Sequence, residues 1–244
     1  MLRVIETEFL KLRRRKAILI ILAVSIFMPI IGIVYFRTIG ASTATALDFY
    51  KWSALSYTPW IILPVVLGIF IALCMTDEKE QRIFNQLWIV PVKPISYLIG
   101  KYVVMLCYSL LFMLLTIGAS LAASIFSGCL LPESSEIMLL IRKCLSIAIL
   151  ESLAMLPIQA IACFDRGYVI TIGFTIVYMF LGFIVLMVNF YVHPLASVTA
   201  LVLHDIPGVM LSEPVNYAKA WTCIGGAGII STVLAILGLK RIGR

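Results

Sequence analysis

The residue best placed to do chemistry is a glutamate inside an otherwise uncharged run. Glu151 lies towards the middle of an apolar block over about 144–163, with Pro157 and Gln159 about two turns further on. At 3.6 residues per turn, Glu151 and Gln159 differ by about 80° around a helix and share a broad face. An ionisable group held that far from water is costly and marks a functional position by default. Three roles are open to it: lining a path for a solute, pairing with a neighbouring subunit, or hydrogen-bonding within a helix bundle. His193 and His204 are the other titratable candidates, for a metal or pH-sensitive site. Two isolated histidines are more often surface residues.

Other reactive constellations are missing. There is no Gly-x-x-x-x-Gly-Lys-Ser/Thr loop to cradle a nucleotide phosphate and no His-Glu-x-x-His zinc pair. There is no Gly-x-Ser-x-Gly nucleophile turn. Cys74, Cys107, Cys129, Cys144, Cys163 and Cys223 form no Cys-x-x-Cys pair, so they read as small core or lipid-facing residues. Intramembrane enzymes need paired polar groups at one depth, and only one acid sits within an apolar block. We expect no catalytic residue, no metal site and no cofactor held by this chain.

The elements that position Glu151 are set by composition. The 244 residues are 62% hydrophobic and 13% charged, against roughly a quarter charged in soluble domains. The excess apolar surface must face lipid. A bilayer core about 30 Å thick needs roughly 20 apolar residues, and six windows meet that: about 17–36, 53–75, 102–126, 144–163, 167–191 and 221–239. The fold class is an all-α integral membrane protein, one transmembrane domain over 1–244. Of the 19 Lys and Arg, 14 fall in the N-terminal segment, the 77–101 loop, the 164–166 turn and the C-terminus. The positive-inside rule then places both termini in the cytoplasm. The net charge of +7 points to anionic lipid and not to nucleic acid.

Three segments outside the spans carry pattern. Residues 1–16 set Leu2, Ile5, Phe9 and Leu12 on one side and Glu6, Glu8, Lys11 and Arg15 on the other, an interfacial helix with Arg13, Arg14, Arg15 and Lys16 near lipid phosphates. Over 77–90, Asp77 and Glu80 have capping-box spacing. Ile83, Phe84, Leu87 and Trp88 follow as an apolar stripe, and Pro91 and Pro94 stop the helix. Residues 195–213 are too apolar for a solvated loop and too short to span, which suggests an outer re-entrant hairpin. The small residues Gly118, Ala119, Ala122, Ala123, Gly225, Gly226 and Gly228 offer smooth faces for helix packing, within the chain or between copies.

This order of elements resembles the permease subunit of an ABC-2 type ABC transporter over essentially the whole chain. The family's loop after the second span reads Glu-x-x-x-Gly-Thr, an apolar stretch, Pro, a polar position and later Gly-Lys. Here Glu80, Arg82, Leu87, Pro91, Lys93, Gly100 and Lys101 match that layout, while Phe84-Asn85 stands at Gly-Thr. Glu8-Phe9-Leu10-Lys11-Leu12 before a basic run is similar to permeases of Gram-positive bacteria.

The resemblance implies a bacterial plasma-membrane protein that pairs with a second copy or a homologous permease. A separate cytoplasmic ABC ATPase would carry ATP and Mg. The helix over 77–90 would be the coupling helix between spans 2 and 3, with Asp77, Glu80, Arg82, Ile83, Phe84, Leu87 and Trp88 meeting the ATPase. The chain is closest in layout to permeases of lantibiotic immunity and bacitracin resistance, which expel amphipathic peptides. The alternatives are a permease for glycan or lipid export, or a non-transport membrane scaffold binding a cytoplasmic partner.

Overall fold

The computed structural model describes residues 2–13, 16–38, 45–80, 94–127, 133–164, 167–207 and 214–242, with backbone alone at 2–5, 13, 77–80 and 240–242. Every regular element among the described residues is helical. We number them α1 (Leu2–Arg13), α2 (Lys16–Thr38), α3 (Ala46–Glu80), α4 (Pro94–Phe126), α5 (Ser134–Phe164), α6 (Tyr168–Val188), α7 (Pro194–Leu203) and α8 (Tyr217–Ile242). Six of them, all but α1 and α7, are long and apolar enough to cross a membrane.

Helix ends follow local chemistry and lengthen the expected spans. Thr45 and Asp48 form a capping box, so α3 starts at Ala46 and not near 53. Glu133 and Glu136 do the same for α5, which starts at Ser134 and not near 144. Pro94, read as a stop, also opens α4, because proline suits the first turn of a helix. At 33 residues α4 runs about 50 Å, beyond the roughly 30 Å of hydrocarbon, so its ends reach the interface.

The segment expected to form a helix over 77–90 is described only as far as Glu80. Asp77 and Glu80 lie in the last turn of α3 and do not open a new helix. No glycine or proline interrupts Ile69–Glu80, so the helix of the second span runs on. Residues 81–93, with Arg82, Ile83, Phe84, Leu87 and Trp88, lie outside the described residues, as do Arg14, Arg15 and 208–213.

The core sits in α3, α4 and α5. Half or more of the apolar windows of these spans is buried within the chain, against a third or less in α2, α6 and α8. The latter three present Leu19, Ile20, Phe174, Phe180, Ile229 and Val233 outwards. Within α3, Pro59 leaves no N–H for the ladder, and the segment that holds it, Thr58–Ile62, and the one before it, Lys51–Ser56, widen into π-turns. Ser56 and Thr58 hydroxyls donate to the Lys51 and Ser53 carbonyls five residues back, at 2.7 and 3.1 Å.

Close approaches fall at Gly68 and, among the glycines expected to pack, at Gly228. A Cβ at Gly68 would overlap Thr175, so spans α3 and α6 meet there with no room for a side chain. Gly118, Gly225 and Gly226 have nothing within 4 Å, and their smooth faces are open, while Gly228 meets Leu156.

Contacts sort the bundle into two ends. At one, the Glu8 carboxylate pairs with Lys101 at the start of α4, and Phe164 packs on Gly238. At the other, Arg37 donates to the Phe126 carbonyl at 2.9 Å, and Lys143 pairs with Asp205.

Candidate functional site

The site is built around a break in α5. Pro157 cannot donate to the carbonyl of Leu153, and the helix is interrupted at Met155. Met155 N–H still reaches the Glu151 carbonyl at 3.0 Å, but Ile158 and Gln159 N–H both turn to the Met155 carbonyl. The carbonyl of Ala154 is thereby released, and the Tyr178 hydroxyl of α6 donates to it at 2.7 Å. A side chain of a neighbouring span thus completes the kink.

Glu151 sits one turn before this break at 0% exposure, and neither carboxyl oxygen has a hydrogen-bond partner. Tyr178 lies within its electrostatic reach, and Cys223 of α8 lies near Tyr178 in turn. The next residue is fully engaged: Ser152 donates to the Ile149 carbonyl at 2.7 Å and lies 3.3 Å from the Tyr102 hydroxyl. An acid without partners at that depth is a high-energy arrangement that folding alone does not favour.

Gln159 does not join it. Its Nε2 donates to the Leu98 carbonyl of α4 at 3.4 Å, and its Oε1 is buried without a partner. It lines a cavity of about 160 Å³ between α4, α5 and α8, whose wall does not include Glu151. Pro157 lies between the two residues, and the helix that carries them is interrupted at Met155.

Two ion pairs, one buried and one half-exposed, were unforeseen as pairs and frame the site. Glu8, expected on the polar outer side of α1, is 6% exposed and holds both Lys101 and Lys11, the latter at 2.7 Å. Phe9, expected on the apolar side, is 41% exposed. Lys101 is itself buried, and the Glu8 carboxylate offsets its charge. At the other end, Lys143 donates to the Val202 carbonyl at 2.6 Å and to Asp205, and so caps the C-terminus of α7. Burial pushes the Asp205 carboxyl up, but the hydrogen bond and charge of Lys143, with His204 beside them, hold it below its ordinary value.

All ten residues of α7 are buried. At its N-terminus the Nδ1 of His193 accepts from Leu195 N–H at 3.3 Å, the N-cap role, and its ring packs 4.3 Å from that of Tyr178. Gly182 of α6 gives the room: a Cβ there would stand 3.0 Å from His193 Nδ1. His204, by contrast, packs edge-on against Tyr217. Among the described residues no group of three His, Cys, Asp or Glu stands close enough to hold a metal ion. The five described cysteines are not in disulfides.

A bundle of six apolar spans, with a kinked central span and a buried acid, defines a multi-pass membrane protein. Residues 4–182 match the family described as ABC-2 family transporter protein. The chain belongs to that family: it is the transmembrane component of an ABC transporter, is not itself catalytic, and works with an ABC ATPase. No curated protein matches the sequence.

Proposed function

We propose that this chain is the permease of an ATP-driven exporter that expels an amphipathic peptide antibiotic, of lantibiotic or bacitracin type, from a bacterial plasma membrane. It acts with a second permease copy or a homologue, and both termini lie in the cytoplasm, where 14 of its 19 basic residues fall. The segment over 77–90 docks in the ATPase, with Phe84, Leu87 and Trp88 as buried contacts and Glu80 and Arg82 at the rim.

The observation that carries the coupling is the Glu8–Lys101 pair. It ties α1 to the first turns of α4, the span that directly follows the docking segment. Force applied to 81–93 is thereby passed to two helices and not to one. The peptide cargo is supported by short connections between spans, the longest being 189–216, and by the outward apolar faces of α2, α6 and α8, which suit a solute taken from lipid.

Two measurements test this reading. Cells expressing the intact system should gain resistance to a lantibiotic or a bacitracin-type peptide, while unchanged sensitivity across such a panel would redirect the cargo to glycans or lipids. Glu151→Gln preserves shape and should leave assembly intact. If Glu151 lines the solute path, that variant loses most of the resistance; loss of assembly instead would assign it to packing.

A further inference from the structure

Glu151 and His193 share a neighbour in Tyr178, and their missing hydrogen bonds are complementary. Six buried side-chain nitrogen or oxygen atoms among the described residues lack a partner, and three of them belong to these two residues. His193 Nδ1 accepts from Leu195 N–H, so the neutral ring carries its proton on Nε2, a donor without an acceptor. Glu151 offers carboxyl acceptors without a donor. We propose that the two side chains hydrogen-bond to each other in a second arrangement of the bundle, reached when α7 leaves α6 for α5 during the ATPase cycle. The proposal rests on membership of a family that works with an ATPase and not on the identity of the exported cargo.

Two routes through the contacts place the pair at one depth. The first runs through α6. Consecutive spans α5 and α6 run in opposite directions, and the Tyr178 hydroxyl on the Ala154 carbonyl sets them level. From Ala154, Glu151 lies three residues towards the Lys143 end of the bundle, about 4.5 Å. From Tyr178, Gly182 lies four residues towards the same end, about 6 Å. His193 Nδ1 packs against Gly182, and its ring lies 4.3 Å from that of Tyr178. The second route runs through α7, whose last turn is pinned to α5 by Lys143 on the Val202 carbonyl. From that joint Glu151 is eight residues along α5, about 12 Å, and His193 is nine residues along α7, about 14 Å. Two arms of nearly equal length therefore lead from one joint to the two unmatched groups, and α7 lies against α5 as well as α6.

The same elements supply the motion. The break at Met155 separates the part of α5 that carries Lys143 and Glu151 from the part that continues to Phe164. A pivot at the break moves Glu151 and the Lys143 joint together, so α7 travels with α5 and His193 parts from Gly182. An acid left dry in every state would only cost stability. Pairing in the second arrangement offsets that cost there and so favours the state in which the two groups meet.

The chain carries two histidines, His193 and His204, which makes the imidazole a direct reporter. The full chain, isotopically labelled at the histidine nitrogens, is reconstituted with its cognate ATPase in phospholipid nanodiscs. Solid-state NMR then compares the complex at rest with the complex trapped by ATP and vanadate, with arrested ATP hydrolysis as proof of trapping. His204→Gln assigns the signals. On trapping, the His193 Nε2 signal should move from that of a free N–H to that of a hydrogen-bonded one. Glu151→Leu should abolish the move, and Glu151→Gln, which keeps a carbonyl acceptor, should retain most of it. A His193 signal that is the same in both states of the unaltered complex would overturn the proposal without recourse to any Glu151 variant. A move that persists in Glu151→Leu would overturn it as well. Peptide resistance does not enter this comparison, so the cargo and the pairing fail separately.

Discussion

Lys101 and Glu8 are each almost wholly buried, and their ion pair offsets part of the cost of burying each charge. Removing one partner of a buried pair leaves an uncompensated charge and costs about 3–5 kcal/mol, whereas removing both costs far less. Glu8→Gln and Lys101→Gln should each lower the thermal midpoint of the detergent-solubilised protein sharply. The double variant should recover much of that loss, as read by a thermal-shift assay in one detergent. Additive losses would mean that the two residues act separately. Neither role was legible in the sequence. Helical spacing placed Glu8 with the solvated residues of α1, and nothing in a local pattern reports a partner 93 positions away. Glu151 was legible, because one acid in a long uncharged run is conspicuous wherever it folds. Its isolation from Gln159 was not, since a helical wheel assumes the continuous ladder that Pro157 breaks.

At the scale of elements, the six spans were readable because lipid requires runs of about 20 apolar residues. Their ends were not, because capping boxes at Thr45–Asp48 and Glu133–Glu136 extend helices well past the apolar windows. The ten-residue α7 was visible as apolar sequence, but its burial by four spans is a tertiary result. Its N-cap has a pH consequence. Burial lowers the His193 pKa to about 4 from 6.5. Between those values the unfolded segment binds a proton that the folded one does not, so the docked helix is fully stabilised above about pH 6.5 and loses stability as pH falls towards 4. Protonation also turns Nδ1 from acceptor to donor and abolishes the cap. Hydrogen exchange at 195–203 should therefore accelerate as pH is lowered from 7 to 4.5, after correction for intrinsic rates. His193→Asn keeps a capping acceptor and should flatten that dependence. An unchanged dependence in the variant would place the titration elsewhere.

The whole molecule is a kinked, peripherally open bundle in a family whose energy source resides on another chain. The proposed coupling is mechanical: the connection after α3 would receive the ATPase and move α4 and, through Glu8–Lys101, α1. The most direct measurement is co-purification of the cognate ATPase with the tagged permease, before and after Phe84→Asp combined with Trp88→Asp. The account predicts a stoichiometric complex with the unaltered chain. It predicts loss of that complex in the double variant, with the permease still monodisperse in detergent. Undiminished binding of the ATPase to a well-folded double variant would contradict it.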